Sequence, residues 1–323
     1  MSFYSGKNVL ITGAAGITGQ AAVKRLLDEG AYIRASVFKN KKFDIQHKNL
    51  EIVSYDLMDH TQCLECIKDM DICLNFAAFI KGAQGHSDPN NFLDYVRYNL
   101  NLSINMFDAA VRTKIDRFGF IGSSTMYPDV SYPVNEDEAY DSVPHPAYRG
   151  VGWLKRYCEQ VIQYYQSISP VKFALTRTTS IYGPNDSFSD SGHVIPMLIK
   201  KAESRMNPFE IWGDGSQVRD FIYVDDVVDG LLTVLEKSPT ARPYNIAYGK
   251  GTSVSELVKE ITDIYGYSPE FKYDLTKPTM IPIRLVDTTR AKNELGWESQ
   301  ISLKEGLTKT IDWYNNNKHL YVK

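Results

Sequence analysis

A cluster of glycines stands near the start of the chain, in Thr12-Gly13-Ala14-Ala15-Gly16-Ile17-Thr18-Gly19, directly after the apolar run Val9-Leu10-Ile11. Glycines at this spacing let the backbone turn sharply and approach a pyrophosphate, whose charge then rests on the free N–H groups that open a helix. A strand before the turn and a helix after it separate such a site from a packing turn. Gly13, Gly16, Ile17 and Gly19 are therefore read as a dinucleotide site. Further on, Ser36-Val37-Phe38-Lys39-Asn40-Lys41-Lys42 contains no acid before Asp44. An acid there would bond a ribose 2′-hydroxyl, whereas a base tolerates a 2′-phosphate. Lys39 thus favours NADP, with NAD the alternative. Asp56, ahead of Leu57, offers a carboxylate to an adenine amine or, equally well, an N-cap to a helix. In Asn75-Phe76-Ala77-Ala78, small residues Ala77 and Ala78 stand where a cofactor would pass the backbone.

Other reactive side chains say less. Cys63 and Cys66 form a C-x-x-C, the spacing of a redox dithiol or half a zinc site. No second pair follows at zinc spacing, and Gln62 to Ile67 reads as an amphipathic helix. With Cys73 and Cys158, they are expected to be structural thiols in a reducing compartment. His47, His60, His86, His145 and His319 show no metal-ligand spacing, so no metal is expected. The chain has 21 tyrosines, an abundance that assigns none of them to acid–base work.

The elements that must position these groups follow from apolar patterning. Strands are expected at Asn8–Thr12, Tyr32–Phe38, Leu50–Tyr55, Asp71–Ala77, Arg117–Ile121 and Val171–Thr176. Helices are expected at Thr18–Glu29, Asn99–Arg112 and from about Gly150 through Tyr165. Continuous runs such as Val9-Leu10-Ile11 belong to strands buried on both faces, and the βα alternation to a parallel sheet. The rhythm breaks after Tyr182, where Pro184 to His193 reads as loop. Pro243–Ala247 is a short strand able to rejoin the first sheet. The expected fold class is α/β, a Rossmann-type doubly wound parallel sheet with a smaller, mainly C-terminal α/β substrate domain. Residues 1–180, with a return near 222–250, would form the dinucleotide-binding domain, and 181–323 an interleaved substrate domain.

With 36 basic and 39 acidic residues and a net charge of -3, the chain lacks the basic excess of a general nucleic-acid binder. Met1 to Asn8 is too short and polar for a signal peptide, and no apolar run reaches the roughly 18 residues of a membrane span. A cytoplasmic protein is expected, with no membrane or nucleic-acid partner.

Four further blocks carry a resemblance: Gly122-Ser123-Ser124-Thr125-Met126-Tyr127-Pro128, Ile181-Tyr182-Gly183-Pro184-Asn185-Asp186 leading to His193-Val194-Ile195-Pro196, Trp212-Gly213-Asp214-Gly215, and Leu295-Gly296-Trp297 before Ile301 to Leu307. With the glycine turn they resemble the extended short-chain dehydrogenase/reductases, the NAD-dependent epimerase/dehydratase family, over nearly the whole chain. Within it, they are similar to the GDP-L-fucose synthase-like nucleotide-sugar enzymes. The resemblance implies an NAD(P)-dependent oxidoreductase on a nucleotide-activated sugar, of GDP type, with hydride transfer at sugar C4. It also implies a homodimer, in which faces such as Asn99–Val111 and Trp153–Tyr164 would meet. By it, Ser123 bonds the reacting sugar oxygen, Lys155 binds the nicotinamide ribose, and Asn99 lies near that lysine. Lys201, Arg219 and Arg284 would serve the diphosphate, Trp212 the nucleotide portion, and His193 with Val194 the sugar.

One departure matters. The motif of these enzymes is Tyr-x-x-x-Lys, and four residues before Lys155 the chain has Val151, which transfers no proton; Leu154 replaces the usual serine. Tyr148 is one substitute: seven helical steps return it to nearly the face of Lys155, although it lies about 4.5 Å along the axis beyond Val151, so the swap needs a bend, which Pro144 and Pro146 with Gly150 and Gly152 allow. Ser123, Thr125, Tyr127, His193 or a water is another. Loss of chemistry is the third, leaving a cofactor-binding regulatory or assembly protein. Thr125 also replaces the cysteine that, with the histidine of the His-Val-Ile-Pro block, moves protons at two sugar carbons in these enzymes; by the resemblance His193 would supply a proton at a neighbouring carbon or hold the sugar. A hydroxyl is a poor base for a carbon-bound proton, so a dehydrogenase, reductase or single-site epimerase fits better than a double epimerase.

Overall fold

The computed structural model describes residues 2–39, 41–79, 89–189, 192–277 and 279–321. Met1, Asn40 and His86, quoted above, lie outside them, as do Asp190 and Ser191 of the loop before His193. In chain order the strands are β1 (Asn8–Thr12), β2 (Tyr32–Ser36), β3 (Leu50–Val53), β4 (Ile72–Asn75), β5 (Arg117–Ser123), β6 (Lys172–Thr178), β7 (Ser180–Tyr182), β8 (Phe209–Trp212), β9 (Val218–Tyr223), β10 (Pro243–Ile246), β11 (Gly251–Ser253), β12 (Phe271–Asp274) and β13 (Ile283–Arg284). The α-helices are α1 (Ile17–Asp28), α2 (His60–Ile67), α3 (Pro89–Thr113), α4 (Arg149–Ile168), α5 (Val194–Glu203), α6 (Val224–Lys237), α7 (Val254–Ile264) and α8 (Leu303–Asn317).

Seven strands form one parallel sheet in the order β10-β6-β5-β4-β1-β2-β3. The chain runs outward from β1 to β3, then crosses back to β4 and outward the other way. The order therefore reverses between β1 and β4, and in such sheets ligands bind at that point, beyond the carboxyl ends of the strands. Both faces are covered. Val9, Ile11 and Leu74 pack with α1 and α6 on one side; Leu10, Cys73, Phe118 and Phe173 pack with α2, α3 and α4 on the other. This two-sided burial explains why the strands read as unbroken apolar runs. All four cysteines are free and buried. The remaining strands make a sheet ordered β11-β9-β13, with β7 also on β9, and a separate pair of β8 with β12. They enclose a second core with α5, α7 and α8.

Several boundaries differ from the sequence expectation. β2 ends at Ser36, and at Lys39 the backbone is left-handed, with φ 53°. β3 ends at Val53 and β4 at Asn75, each two residues short. β5 runs two residues further than expected, because Gly122 and Ser123 still pair with Arg177 and Thr178 on β6. Helix α3 begins ten residues before Asn99, at Pro89, a residue suited to a first helical turn because it has no N–H to lose.

Between α4 and β6 lies a buried ion pair. Arg177 donates from Nε to Glu159 Oε1 at 3.0 Å and from Nη2 to Glu159 Oε2 at 2.7 Å, with both side chains at 1% exposure or less. Its Nη1 donates to the Tyr127 hydroxyl at 3.0 Å and to the Glu136 carbonyl at 2.7 Å. Tyr127 donates in turn to Asn245 Oδ1 at 2.6 Å. Glu159 lies one helical turn beyond Lys155, so this fork sets the rotation and height of α4 over the sheet. Glu159→Ala would leave a buried guanidinium without its counter-charge. The expected loss is about 3–5 kcal/mol of unfolding free energy, read by urea denaturation; a loss under about 1 kcal/mol would contradict it.

Candidate active site

At the reversal point of the sheet, Thr12 joins two strand ends. Its hydroxyl donates to Asn75 Oδ1 at 2.6 Å and accepts from the Ala77 N–H at 3.1 Å. Gly13 follows with φ +63°, and a Cβ there would lie 2.7 Å from the Phe76 carbonyl carbon. A Cβ on Gly19 would run into the Gly13 carbonyl oxygen. These two glycines shape the turn. Gly16 differs: a Cβ on it would meet only the Gly13 oxygen, at 3.3 Å. It caps α1 with no side chain, and the first turn, starting at Ile17, carries no acid. The result is a helix opening able to receive an anion, flanked by the half-buried Ala77 and the exposed Ala78. These residues fit a dinucleotide pyrophosphate.

Around it, Lys39 is exposed, with its ammonium 4.6 Å from the Phe38 ring centre. Asp56 does not cap α2; Asp59 does, accepting from Thr61 and Gln62 N–H. Asp56 is exposed and accepts from the Met58 N–H at 3.0 Å, while Leu57 is buried. Asn99 spends its amide on backbone, donating to Phe79 O and Tyr95 O and accepting from Phe79 N–H at 2.8 Å. It thereby clamps the segment after β4 and makes no bond to Lys155.

Ser123 is the last residue of β5, open at the carboxyl end of the sheet. Its Oγ accepts from Thr125 N–H at 3.2 Å and from Thr125 Oγ1 at 3.0 Å, which leaves its own proton to donate elsewhere. Lys155 donates to the Ile121 carbonyl at 2.8 Å and lies 4.6 Å from the Phe120 ring centre. Burial holds its ammonium below the usual lysine range. Helix α4 comes this close because residue 152 is glycine; a Cβ there would sit 2.6 Å from Pro144 Cβ and 2.7 Å from Thr125 O. Val151 is buried one turn before Lys155.

Two tyrosines considered as substitutes are placed otherwise. Tyr148 is not on α4 but is its N-cap, at φ -117° and ψ 8°, ending the 3-10 turn Pro146–Tyr148. The helical extrapolation to the face of Lys155 therefore fails. Its hydroxyl lies near the guanidinium groups of Arg219 and Arg284. Tyr127 is fully buried with its hydroxyl held between Asn245 and Arg177, and burial drives its acidity well below that of free tyrosine. It faces the ion pair rather than an open site.

On the opposite wall, Arg284 is buried and donates to Pro128 O at 2.9 Å and Tyr127 O at 3.4 Å, while its Nε has no partner. Arg219 donates to Val218 O, Pro282 O and Thr279 O. Neither meets a carboxylate within ion-pair distance among the described residues, and burial holds both guanidinium groups below the usual arginine pKa range. Two partly desolvated cations without counter-ions make a site for an anion such as a diphosphate. Lys201 is engaged by Glu210, through its carbonyl at 2.8 Å and its carboxylate at 3.6 Å, and Trp212 donates to that carboxylate at 3.1 Å. His193 caps α5 and Val194 begins it, 37% exposed.

Two acids at this end were missed by the sequence reading. Asp186 is buried and lies 3.3 Å from His193 Nδ1. Asp220, next to Arg219, accepts from Thr179 and from the Tyr248 and Gly249 N–H groups; burial pushes its carboxyl up to about 6. Each was a single acid in a loop or strand, with no spacing to mark it. Among the described residues, no group of three or more His, Cys, Asp or Glu is placed to hold a metal, and no helix is long and apolar enough to cross a membrane.

The family profile described as the NAD dependent epimerase/dehydratase family matches residues 9–247. GDP-L-fucose synthase 1 of Arabidopsis thaliana is 27% identical over 315 residues, covering 96% of this chain and 93% of its own. GDP-mannose 3,5-epimerase 1 of Oryza sativa subsp. indica is 30% identical over 315 residues, covering 94% and 81%. The solved structure of UDP-N-acetylglucosamine 4-epimerase from Methanobrevibacter ruminantium M1, in complex with UDP-N-acetylmuramic acid, aligns with a TM-score of 0.85 at 25% identity, covering 97% and 99%.

The glycine geometry makes a separable prediction. Gly16→Ala is expected to cost under about 1 kcal/mol of stability yet to weaken dinucleotide binding by at least about tenfold, about 1.4 kcal/mol. Thermal melting and fluorescence titration with NADPH measure the two effects; unchanged binding would contradict the placement.

Proposed function

The chain belongs to the NAD dependent epimerase/dehydratase family, and from that premise we propose that this enzyme transfers a hydride at C4 of a GDP-linked sugar, using NADP in preference to NAD. It would act as a dehydrogenase, reductase or single-site epimerase. The observation that carries this reading is the Ser123–Thr125 hydroxyl pair at the open end of β5, two residues from the carbonyl that anchors Lys155. When bound, the nicotinamide would supply or accept the hydride. Ser123, already accepting two hydrogen bonds, directs its own proton to the sugar oxygen and stabilises the charge that develops there. Lys155 orients the cofactor ribose and keeps the site electropositive. Thr125 supports Ser123 rather than acting as a base. Arg219 and Arg284 receive the diphosphate, with Tyr148 beside both; Lys201 and Trp212, tied together through Glu210, border the nucleotide portion. Lys39 receives the 2′-phosphate, while Asp56 faces the adenine.

The same reading keeps residues 1–180, with 222–250, as the cofactor domain and the rest as the substrate domain. It also includes a homodimer. Trp153, Tyr157 and Tyr164 recur at helical spacing on α4 and are 47%, 55% and 60% exposed, an apolar stripe suited to a partner copy. A cytoplasmic location fits four free thiols.

The buried Val151 favours one competing reading, a protein that binds both ligands without turnover. An absorbance assay at the nicotinamide band decides it, with GDP-, UDP- and dTDP-sugars and both cofactors. Hydride transfer with a GDP-4-keto sugar is expected, and Ser123→Ala should lower kcat by about 10²-fold or more. Cofactor binding without transfer to any of these sugars would establish the regulatory or assembly role instead. Tyr148→Phe should raise KM with little change in kcat, the signature of a binding contact. A loss confined to kcat would return Tyr148 to the role of proton donor.

A further inference from the structure

The loop between β7 and α5 holds a carboxylate and an imidazole together. Asp186 is 3% exposed, and its Oδ1 lies 3.3 Å from His193 Nδ1 while accepting from the Ser187 N–H at 2.7 Å. Its Oδ2 is buried and has no hydrogen-bond partner. Among the described residues, Asp186 thus meets no cation other than His193 within ion-pair distance. The histidine side chain is 46% exposed, and its Nε2 has no partner among the described residues. A carboxylate only accepts hydrogen bonds, so the 3.3 Å contact places a proton on Nδ1 and, in the neutral imidazole, leaves Nε2 as the basic atom.

The loop is held by the C-terminal segment. Phe188 is fully buried and stacks on Tyr314 at 4.4 Å and on Trp313 at 6.0 Å, with Tyr321 at 5.5 Å. The Tyr321 hydroxyl donates to the Asp186 carbonyl at 3.3 Å. Tyr321 is the titratable group that reaches the pair from this segment, and burial, with the nearby Asp186 carboxylate, raises it above the usual phenol range. The aromatic clamp fixes Asp186 by its backbone, and Asp186 fixes the imidazole.

We propose that Asp186 is a positioning residue for His193, fixing its Nδ1–H tautomer so that Nε2 takes and returns a proton at the sugar carbon beside a keto group. This rests on the sugar substrate proposed above. In the step, Nε2 removes the carbon-bound proton and the C–H electron pair moves into the carbonyl, giving an enolate. The imidazolium so formed is stabilised by the adjacent carboxylate, as in other carboxylate–histidine pairs. Return of the proton restores the ketone, and exchange on nitrogen carries solvent hydrogen onto the carbon. The hydrogen bond to Asp186 raises the imidazole above its ordinary value, and burial opposes that rise. Its loss should therefore lower the histidine pKa, moving the acid limb of the rate profile to lower pH and weakening the base.

The test has an arm without substrate. ¹⁵N chemical shifts of the wild-type imidazole, assigned with His193→Asn, should report an Nδ1–H tautomer; an Nε2–H tautomer overturns the proposal. In Asp186→Asn the His193 titration should move to lower pH, and an unmoved titration also overturns it. In the second arm, GDP-4-keto-6-deoxymannose in D₂O should gain deuterium beside the ketone. That rate should fall about tenfold in Asp186→Asn and about 10²-fold or more in His193→Asn, with KM unchanged. An undiminished rate in Asp186→Asn overturns the proposal. A wild-type protein that exchanges no deuterium overturns the GDP-sugar reading instead, and the titration and tautomer still decide the pair.

Discussion

The fork between Arg177 and Glu159 is the interaction on which the rest of the site depends. A buried ion pair of this kind adds little net stability over an apolar pair, because desolvating both charges offsets most of their attraction. Its effect here is directional. Five guanidinium protons in a fixed plane permit one geometry with a carboxylate, so α4 has one rotation relative to β6. That rotation brings Gly152 onto the Thr125 turn, aims Lys155 at the Ile121 carbonyl and buries Val151. The same guanidinium takes up the Tyr127 hydroxyl, which removes that tyrosine from the site.

Charge is distributed unevenly across the cleft. Arg219 and Arg284 are partly or wholly withdrawn from water without a carboxylate within ion-pair distance among the described residues, an arrangement that leaves them available to an anion. In the loop before α5, Asp186 is buried, with His193 its one ion-pair partner among the described residues. Between them, Ser123 and Thr125 contribute neutral hydroxyls and Lys155 a cation bound to a carbonyl. Each group is held through backbone or through one specific partner rather than by exposure to solvent. Such preorganisation allows a site to stabilise developing charge without reorganising.

How much was legible in the sequence depended on how local the determinant was. The glycine turn was readable because strand, turn and helix are consecutive, and each glycine answers to a neighbour within the same βαβ unit. Lys155 and Ser123 were readable through short motifs. The place of Tyr148 was less legible, because the helix begins only at Arg149, after a proline-led 3-10 turn. Asp56 and Asp59 are three residues apart, and only the backbone geometry selects the second as the cap of α2.

The sequence by itself determined the parallel sheet, the glycine turn and the absence of a tyrosine one turn before Lys155, because each is a matter of residue type at short spacing. Tertiary structure alone decided which polar groups are free and which are spent. Tyr127 meets Asn245 across 118 residues, Arg284 meets Pro128 across 156, and Tyr321 reaches Asp186 across 135. A hydroxyl, guanidinium or carboxylate has the same formula whether satisfied or not. Its chemistry is settled by partners that no local pattern encodes.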